Sequence, residues 1–354
     1  MIFLARTLSA AILFFFLGKA NVWLTPQANT TLAFGYRVFL LLSPFLVALG
    51  GKNATALSFL IGSAGVGLWM SGLGLAGAVC VALGLSCGGY LIKSQAAETA
   101  HGAALNKISL NIGSLSSGLL IALPFFQLKD AAYSVALFTL LVCVGLSIQS
   151  ARNREVQPAI VAAGRSLFLA GGVLPSLRWG LIGTAIGIKM FGIFSVLPQY
   201  LMREGGFLPP WYGALISLNS LLVIVLQLPI MRAIQSISSS KVIVILFGGL
   251  VVLGSPQIFS VDHVIGATIW VTLLSLAECC VSRLDVDASS QQSLLPKEAS
   301  VGLGAAVSVI CMRSLSADVG PALLATVGGS ALFLAYLMRI REPVRIRVTS
   351  SSVT

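Results

Sequence analysis

The chain has 354 residues, 57% of them hydrophobic and only 9% charged, with a mean hydropathy of +0.97. A soluble protein of this length needs a charged exterior that this composition cannot supply, so a soluble globular fold is excluded. The net charge of +11 would suggest nucleic acid in a soluble protein; here membrane topology explains it better, and no nucleic-acid partner is expected.

Backbone polar groups inside hydrocarbon must be bonded internally, so spanning segments are helices or closed barrels. A barrel would show short alternating segments. Runs such as Phe39–Gly50 and Val242–Leu253 are continuous, which predicts an all-α polytopic membrane protein. At about 20 residues per span plus a turn, the length allows about ten to twelve helices. They are predicted at 5–25, 32–51, 54–70, 72–93, 104–126, 131–150, 178–202, 209–232, 241–258, 264–283, 300–320 and 322–340. The first could pass for a signal peptide, with Arg6 before Thr7–Gly18, but no convincing cleavage site follows and a membrane helix is the better reading. The last pair is cramped, so eleven helices also fit.

The stretch Ser150–Arg178 carries Arg152, Arg154, Arg165 and Arg178 with Pro158 and Pro175. It reads as a cytoplasmic linker (151–177) between an N-terminal six-helix bundle (1–150) and a C-terminal one (178–340), with a cytoplasmic tail over 341–354. Residues 163–174 are amphiphilic enough to lie along the membrane surface. With the N-terminus inside, cytoplasmic segments hold Arg6, Lys52, Lys93, Lys107, the linker arginines, Arg232, Lys241, Arg283, Lys297, Arg339, Arg341, Arg345 and Arg347. The outer loops hold only Arg37, Lys129 and Arg203. This asymmetry satisfies the positive-inside rule, and the basic tail favours twelve helices over eleven.

The dense glycines Gly62, Gly65, Gly67, Gly72, Gly74 and Gly77 predict close helix packing. The six cysteines form no CxxC or Cys/His cluster, and His101 and His263 sit at loop edges. Neither a metal, a cofactor nor a disulfide framework is expected. An intramembrane enzyme would need a nucleophile–base pair or metal ligands in the helices, and the sequence offers none.

An ionisable residue within a span is a functional candidate by default. Lys19, Lys189, Glu278, Arg313 and Asp318 qualify. A carboxyl in a low-dielectric site can exchange a proton near neutrality, so Glu278 is the first candidate for proton coupling and Asp318 the second. The bland alternatives are a permanent structural ion pair for Glu278 and a pair with Lys189 for Asp318. Lys19 and Lys189 could serve an anionic substrate, or Lys19 could snorkel to the interface. Lys93 reads as an inner anchor or a substrate contact. Asn111, Asn219 and Gln227 could bond substrate or tie helices together.

A weak repeat relates Gly84–Ser117 to Leu274–Asp318, each running helix, basic turn, helix. The stretch Ile193–Arg232, with Pro198, Tyr200, Gly213, Asn219, Gln227 and Pro229 in order, resembles helices 7 and 8 of bacterial major facilitator superfamily transporters. Ala277–Glu278, Pro296 and Gly320–Pro321 resemble helices 10 and 11 of drug:proton antiporters and of proton-coupled peptide transporters. Lys93 and Asn111–Ser114 are similar to helices 4 and 5 of the peptide transporters.

The resemblance implies the major facilitator fold: two six-helix bundles with both termini cytoplasmic, working by alternating access. It further implies a monomer in a bacterial inner membrane, with protons and a small molecule as partners and helices 1 and 7 lining a central cavity. Lys19, Lys189 and Arg313 would then make that cavity tolerant of anions. Proton-coupled efflux of a drug-like compound or secreted metabolite is the leading expectation; uptake of a peptide-like or carboxylated solute is the alternative. Two departures stand out. The family's acidic and basic turn after helix 2 is replaced by Gly50–Ala54, which leaves room for an inactive carrier, and the glycine–proline pair of helix 5 is absent, since Leu119 follows Gly118.

Overall fold

The computed structural model describes residues 1–122, 128–152, 172–205, 208–316 and 319–340. These are almost wholly helical: α1 (Ile2–Trp23), α2 (Pro26–Val38), α3 (Ser43–Gly50), α4 (Ala54–Met70), α5 (Gly74–Ala96), α6 (Ala100–Ala122), α7 (Lys129–Arg152), α8 (Val173–Gly205), α9 (Tyr212–Ile234), α10 (Ser239–Leu253), α11 (Val264–Ser290), α12 (Leu294–Ser314) and α13 (Val319–Ile340). Most of the predicted linker, residues 163–171 of the predicted surface segment and the tail lie outside the described residues.

The predicted second helix is broken into α2 and α3 by a 3-10 turn at Phe39–Leu42. Pro44 explains the break: it lacks an N–H, and its ring clashes with the carbonyl four residues back. The Cys87 thiol from α5 donates to the Phe39 carbonyl at 3.0 Å, a backbone group that the break leaves available. The start of α2 is set by Thr25, whose hydroxyl accepts from the Ala28 N–H at 3.3 Å, with Pro26 next. Gly51 (φ +53°) and Gly72 (φ +82°) supply the left-handed residues in the turns on either side of α4.

Two boundaries matter for function. The helix expected at 264–283 runs on to Ser290, and the next begins at Leu294 rather than near residue 300. That relieves the cramped final pair and moves Asp285, Lys297 and Glu298 from a loop into helices. Gly320–Pro321 falls in the first turn of α13 instead of at the end of the preceding helix. There proline costs nothing, because its missing N–H would have no helical partner. The resemblance to helix 11 of the antiporters therefore loses that pair.

Glycine packing is real but selective. A Cβ on Gly65 would lie 2.6 Å from the Val81 nitrogen, and one on Gly84 2.4 Å from the Gly62 nitrogen, so α4 and α5 touch through their backbones. Gly67 and Gly74 meet nothing within 4 Å. A similar contact joins α8 to α12, where a Cβ on Gly183 would fall 2.1 Å from the Lys297 carbonyl oxygen and one on Gly304 2.1 Å from that of Thr184.

Apolar side chains form one core among α1, α2, α4, α5 and α7, and another among α8 to α13 with Ala97 and Ala104 joining it. Phe16, Trp69 and Tyr133 pack the first core ring against ring, with centroids 4.8–5.8 Å apart. The exterior inverts the soluble pattern. Leu49, Ile258 and Ile265 are 79%, 80% and 73% exposed, while Lys189 and Lys297 are among the largest fully buried side chains. Among the described residues, eight segments are by themselves long and apolar enough to cross a bilayer. A surface of leucine and phenylalanine over an ionic interior is stable in lipid, and the chain is a multi-pass membrane protein.

Candidate functional site

A cavity of about 130 Å³ lies between the helices preceding Arg152 and those following Val173. It takes side chains from α1, α2, α5 and α6 on one side and from α8, α9, α11 and α12 on the other; α4, α7, α10 and α13 stay outside. Its wall holds five cations, Arg6, Arg37, Lys93, Lys107 and Lys297, and three carboxylates, Glu278, Asp285 and Glu298.

The carboxylates organise two ionic clusters. In the first, Glu278 of α11 is 2.5 Å from the Lys107 ammonium of α6 and 3.8 Å from that of Lys189 of α8. Asn219 donates to the same carboxylate and accepts from the Ser275 hydroxyl at 2.8 Å. In the second, Lys93 of α5 lies 3.1 Å from Asp285 and 2.8 Å from Glu298, and Lys297 closes the ring onto both carboxylates. Glu278 and Asp285 are seven residues apart and so share one stripe of α11. Each cluster joins a lysine from the first set of helices to carboxylates of the second. A buried charge is tolerated when paired in this way.

Of the expected site residues, Glu278, Lys93, Asn111 and Asn219 line the cavity. Lys189 does not: Ile186 and Met190 form the wall, and the lysine points behind them to donate to the Leu274 carbonyl. Gln227 is buried away from the cavity and donates to the Cys279 carbonyl at 2.9 Å. Lys19 is also absent from the wall and lies 5.6 Å from the centre of the Trp23 ring. Asp318 and the side chain of Arg313 lie outside the described residues.

Six of the wall's charged residues were not singled out from the sequence as site candidates. Arg6, Lys107 and Lys297 are not loop charges; they are 6%, 7% and 0% exposed. Arg37 sits in α2, not in an outer loop. Asp285 and Glu298 gained their place when α11 and α12 proved longer than predicted.

No family model matches the sequence, and no curated protein matches it either. Solved structures do. The human organic anion transporter MFSD10 (TETRAN) is 14% identical, covers 94% of this chain and 97% of its own, and superposes with a TM-score of 0.64. The proton:xylose symporter XylE is 10% identical over 95% of this chain and 94% of its own, with a TM-score of 0.67. An auto-inhibited POT family peptide transporter is 16% identical over 97% of both chains, with a TM-score of 0.59. This is the major facilitator fold. The three solved proteins are named as transporters; in this chain the ionic cavity lies between the helices preceding Arg152 and those following Val173.

Proposed function

We propose that this chain is a proton-coupled secondary transporter of a small organic solute, with Glu278 as the proton-carrying group. The observation that carries the reading is the Lys107–Glu278 pair, 2.5 Å long, buried, on the cavity wall and shared between the two sets of helices. Protonating Glu278 would cancel the attraction that ties α6 to α11. A proton arriving at one site would thereby loosen the contact that holds two moving bodies together, and that is the coupling alternating access requires. Asn219, bonded to the same carboxylate, would orient it.

The cavity's charge supports a carboxylated solute over a neutral drug-like one. Export, the direction the antiporter resemblance favours, loses the support of Gly320–Pro321, so direction is assigned by experiment. Purified protein in proteoliposomes loaded with a pH-sensitive dye should move protons when carboxylates such as succinate or benzoate are added. Glu278→Gln should abolish solute-driven proton movement while preserving counterflow of labelled solute. Proton movement at the normal rate in Glu278→Gln would refute the assignment of Glu278.

A further inference from the structure

Two of the five cations on the cavity wall have no anionic partner among the described residues. Lys93, Lys107 and Lys297 are each in an ion pair, whereas neither Arg6 nor Arg37 has a carboxylate within 4 Å or a side-chain hydrogen bond among the described residues. The Arg6 side chain is buried, and its Nε has no hydrogen-bond partner among the described residues. The acid whose charge bears on Arg37 is Glu298, which Lys93 and Lys297 already hold. A buried guanidinium offers five N–H donors, and leaving them unmet is costly.

The surroundings are shaped to hold both groups in place. Gly89 makes room for Arg6: a Cβ there would lie 2.4 Å from Nη1. Gly302 does the same for Arg37, whose own Cβ would be 2.8 Å away. The Arg37 guanidinium carbon lies 4.5 Å from the Phe191 ring centre and 5.0 Å from that of Tyr36. Aromatic faces steady a guanidinium plane and leave its N–H edge available. Arg6 and Arg37 line the same cavity. With Lys93, Lys107 and Lys297 already paired, the two guanidiniums leave the wall with an excess of positive charge that an entering anion would offset.

We propose that Arg6 and Arg37 are the recognition site for a small organic anion bearing one or two carboxylates. This rests on the transporter reading and names the class of its substrate. The fork geometry of arginine suits a carboxylate held by two parallel hydrogen bonds. The cavity volume of about 130 Å³ is on the scale of the ~150 Å³ cavity that takes benzene. The ligand is therefore the size of benzoate or a short dicarboxylate, with Tyr36, Tyr90 and Phe191 available to cover its apolar part.

The test is equilibrium binding to the full chain in phosphatidylcholine nanodiscs, where no anionic lipid can occupy the cavity. Benzoate, malonate and succinate are compared with benzamide, malonamide and succinamide. At least one acid should bind ten times more tightly than its amide. Arg6→Gln and Arg37→Gln should each weaken that acid about ten- to a hundredfold, the cost of one hydrogen-bonded charge. Arg6→Lys and Arg37→Lys keep the charge, and with it the fold, but lose the fork; they too should weaken binding. Amides that bind as well as their acids, a panel in which no acid binds, or lysine variants with unchanged affinity would overturn the proposal. Flux measured on the unaltered protein separates the two readings: acid binding accompanied by acid-driven flux supports both, whereas acid binding without flux sinks transport alone.

Discussion

Lys93→Met removes the one cation through which α5 reaches the second set of helices at the Asp285–Glu298 cluster. The ammonium is 3.1 Å from Asp285 and 2.8 Å from Glu298, and its side chain is 17% exposed. Both carboxylates keep Lys297, so the substitution strips an inter-set contact without abandoning two naked charges. A hydrogen bond to a charged group contributes about 1.5–3 kcal/mol. Losing one should shift the balance between closed and open arrangements at this end by roughly ten- to a hundredfold. Spin labels at Glu98→Cys and Gln292→Cys, on the exposed turns after α5 and α11, report the separation. Cys80 and Cys311, the two cysteines that are not fully buried, are replaced by serine in the background. Double electron–electron resonance should show Lys93→Met populating longer distances than the parent. Superimposable distance distributions would refute the idea that this cluster holds the two sets together.

Lys297→Met acts differently, because Lys297 is fully buried and both of its carboxylate partners lie in the second set. It should cost about 3–5 kcal/mol by leaving carboxylates under-compensated, read as a lower thermal unfolding temperature of the purified protein. Gly304→Ala should destabilise by about 1–3 kcal/mol, since its Cβ would sit 2.1 Å from the Thr184 carbonyl oxygen. Gly145→Ala on α7, where nothing lies within 4 Å, should be neutral or gain up to about 1 kcal/mol from helix propensity; equal losses in the two variants would contradict the packing assigned to α8 and α12. Gln227→Leu gives up one hydrogen bond but also removes a buried carbonyl oxygen that has no partner. Its stability should change by less than about 1.5 kcal/mol and its solute affinity not at all; a large affinity loss would put Gln227 on the transport path.

Much of the architecture was legible because hydrophobic runs in a membrane protein are long and turns are short. The positions of α4, α7 and α9 follow directly from run length and from glycine, proline and polar breaks. Glu278 was legible as a lone acid in an apolar run, and Asn219 as a polar residue on a spanning helix. What failed was the inference from charge to loop. Lys297 and Asp285 sit near helix ends, where sequence reading assigns charges to water, yet they close a ring with Lys93 and Glu298 inside the protein. Such a ring depends on helices far apart in the chain, so no local window contains it. The seven-residue spacing of Glu278 and Asp285 was the available signal, masked by ending the helix at residue 283. A positive charge near a predicted helix boundary has a ready explanation in topology, and in the sequence that explanation covers Arg6 and Arg37. Only the glycines opposite them, Gly89 and Gly302, mark them as interior, and that pairing is three-dimensional.

Ser114 on α6 faces the cavity and offers the most direct test of a chamber that is reached from each side in turn. Ser114→Cys, in the Cys80 and Cys311 background, is treated with a charged, membrane-impermeant thiol reagent in right-side-out and in inside-out vesicles. Labelling from both sides, slowed from both by a bound carboxylate, is the predicted result. A cysteine reached from one side alone, or from neither, would contradict alternating access through this cavity.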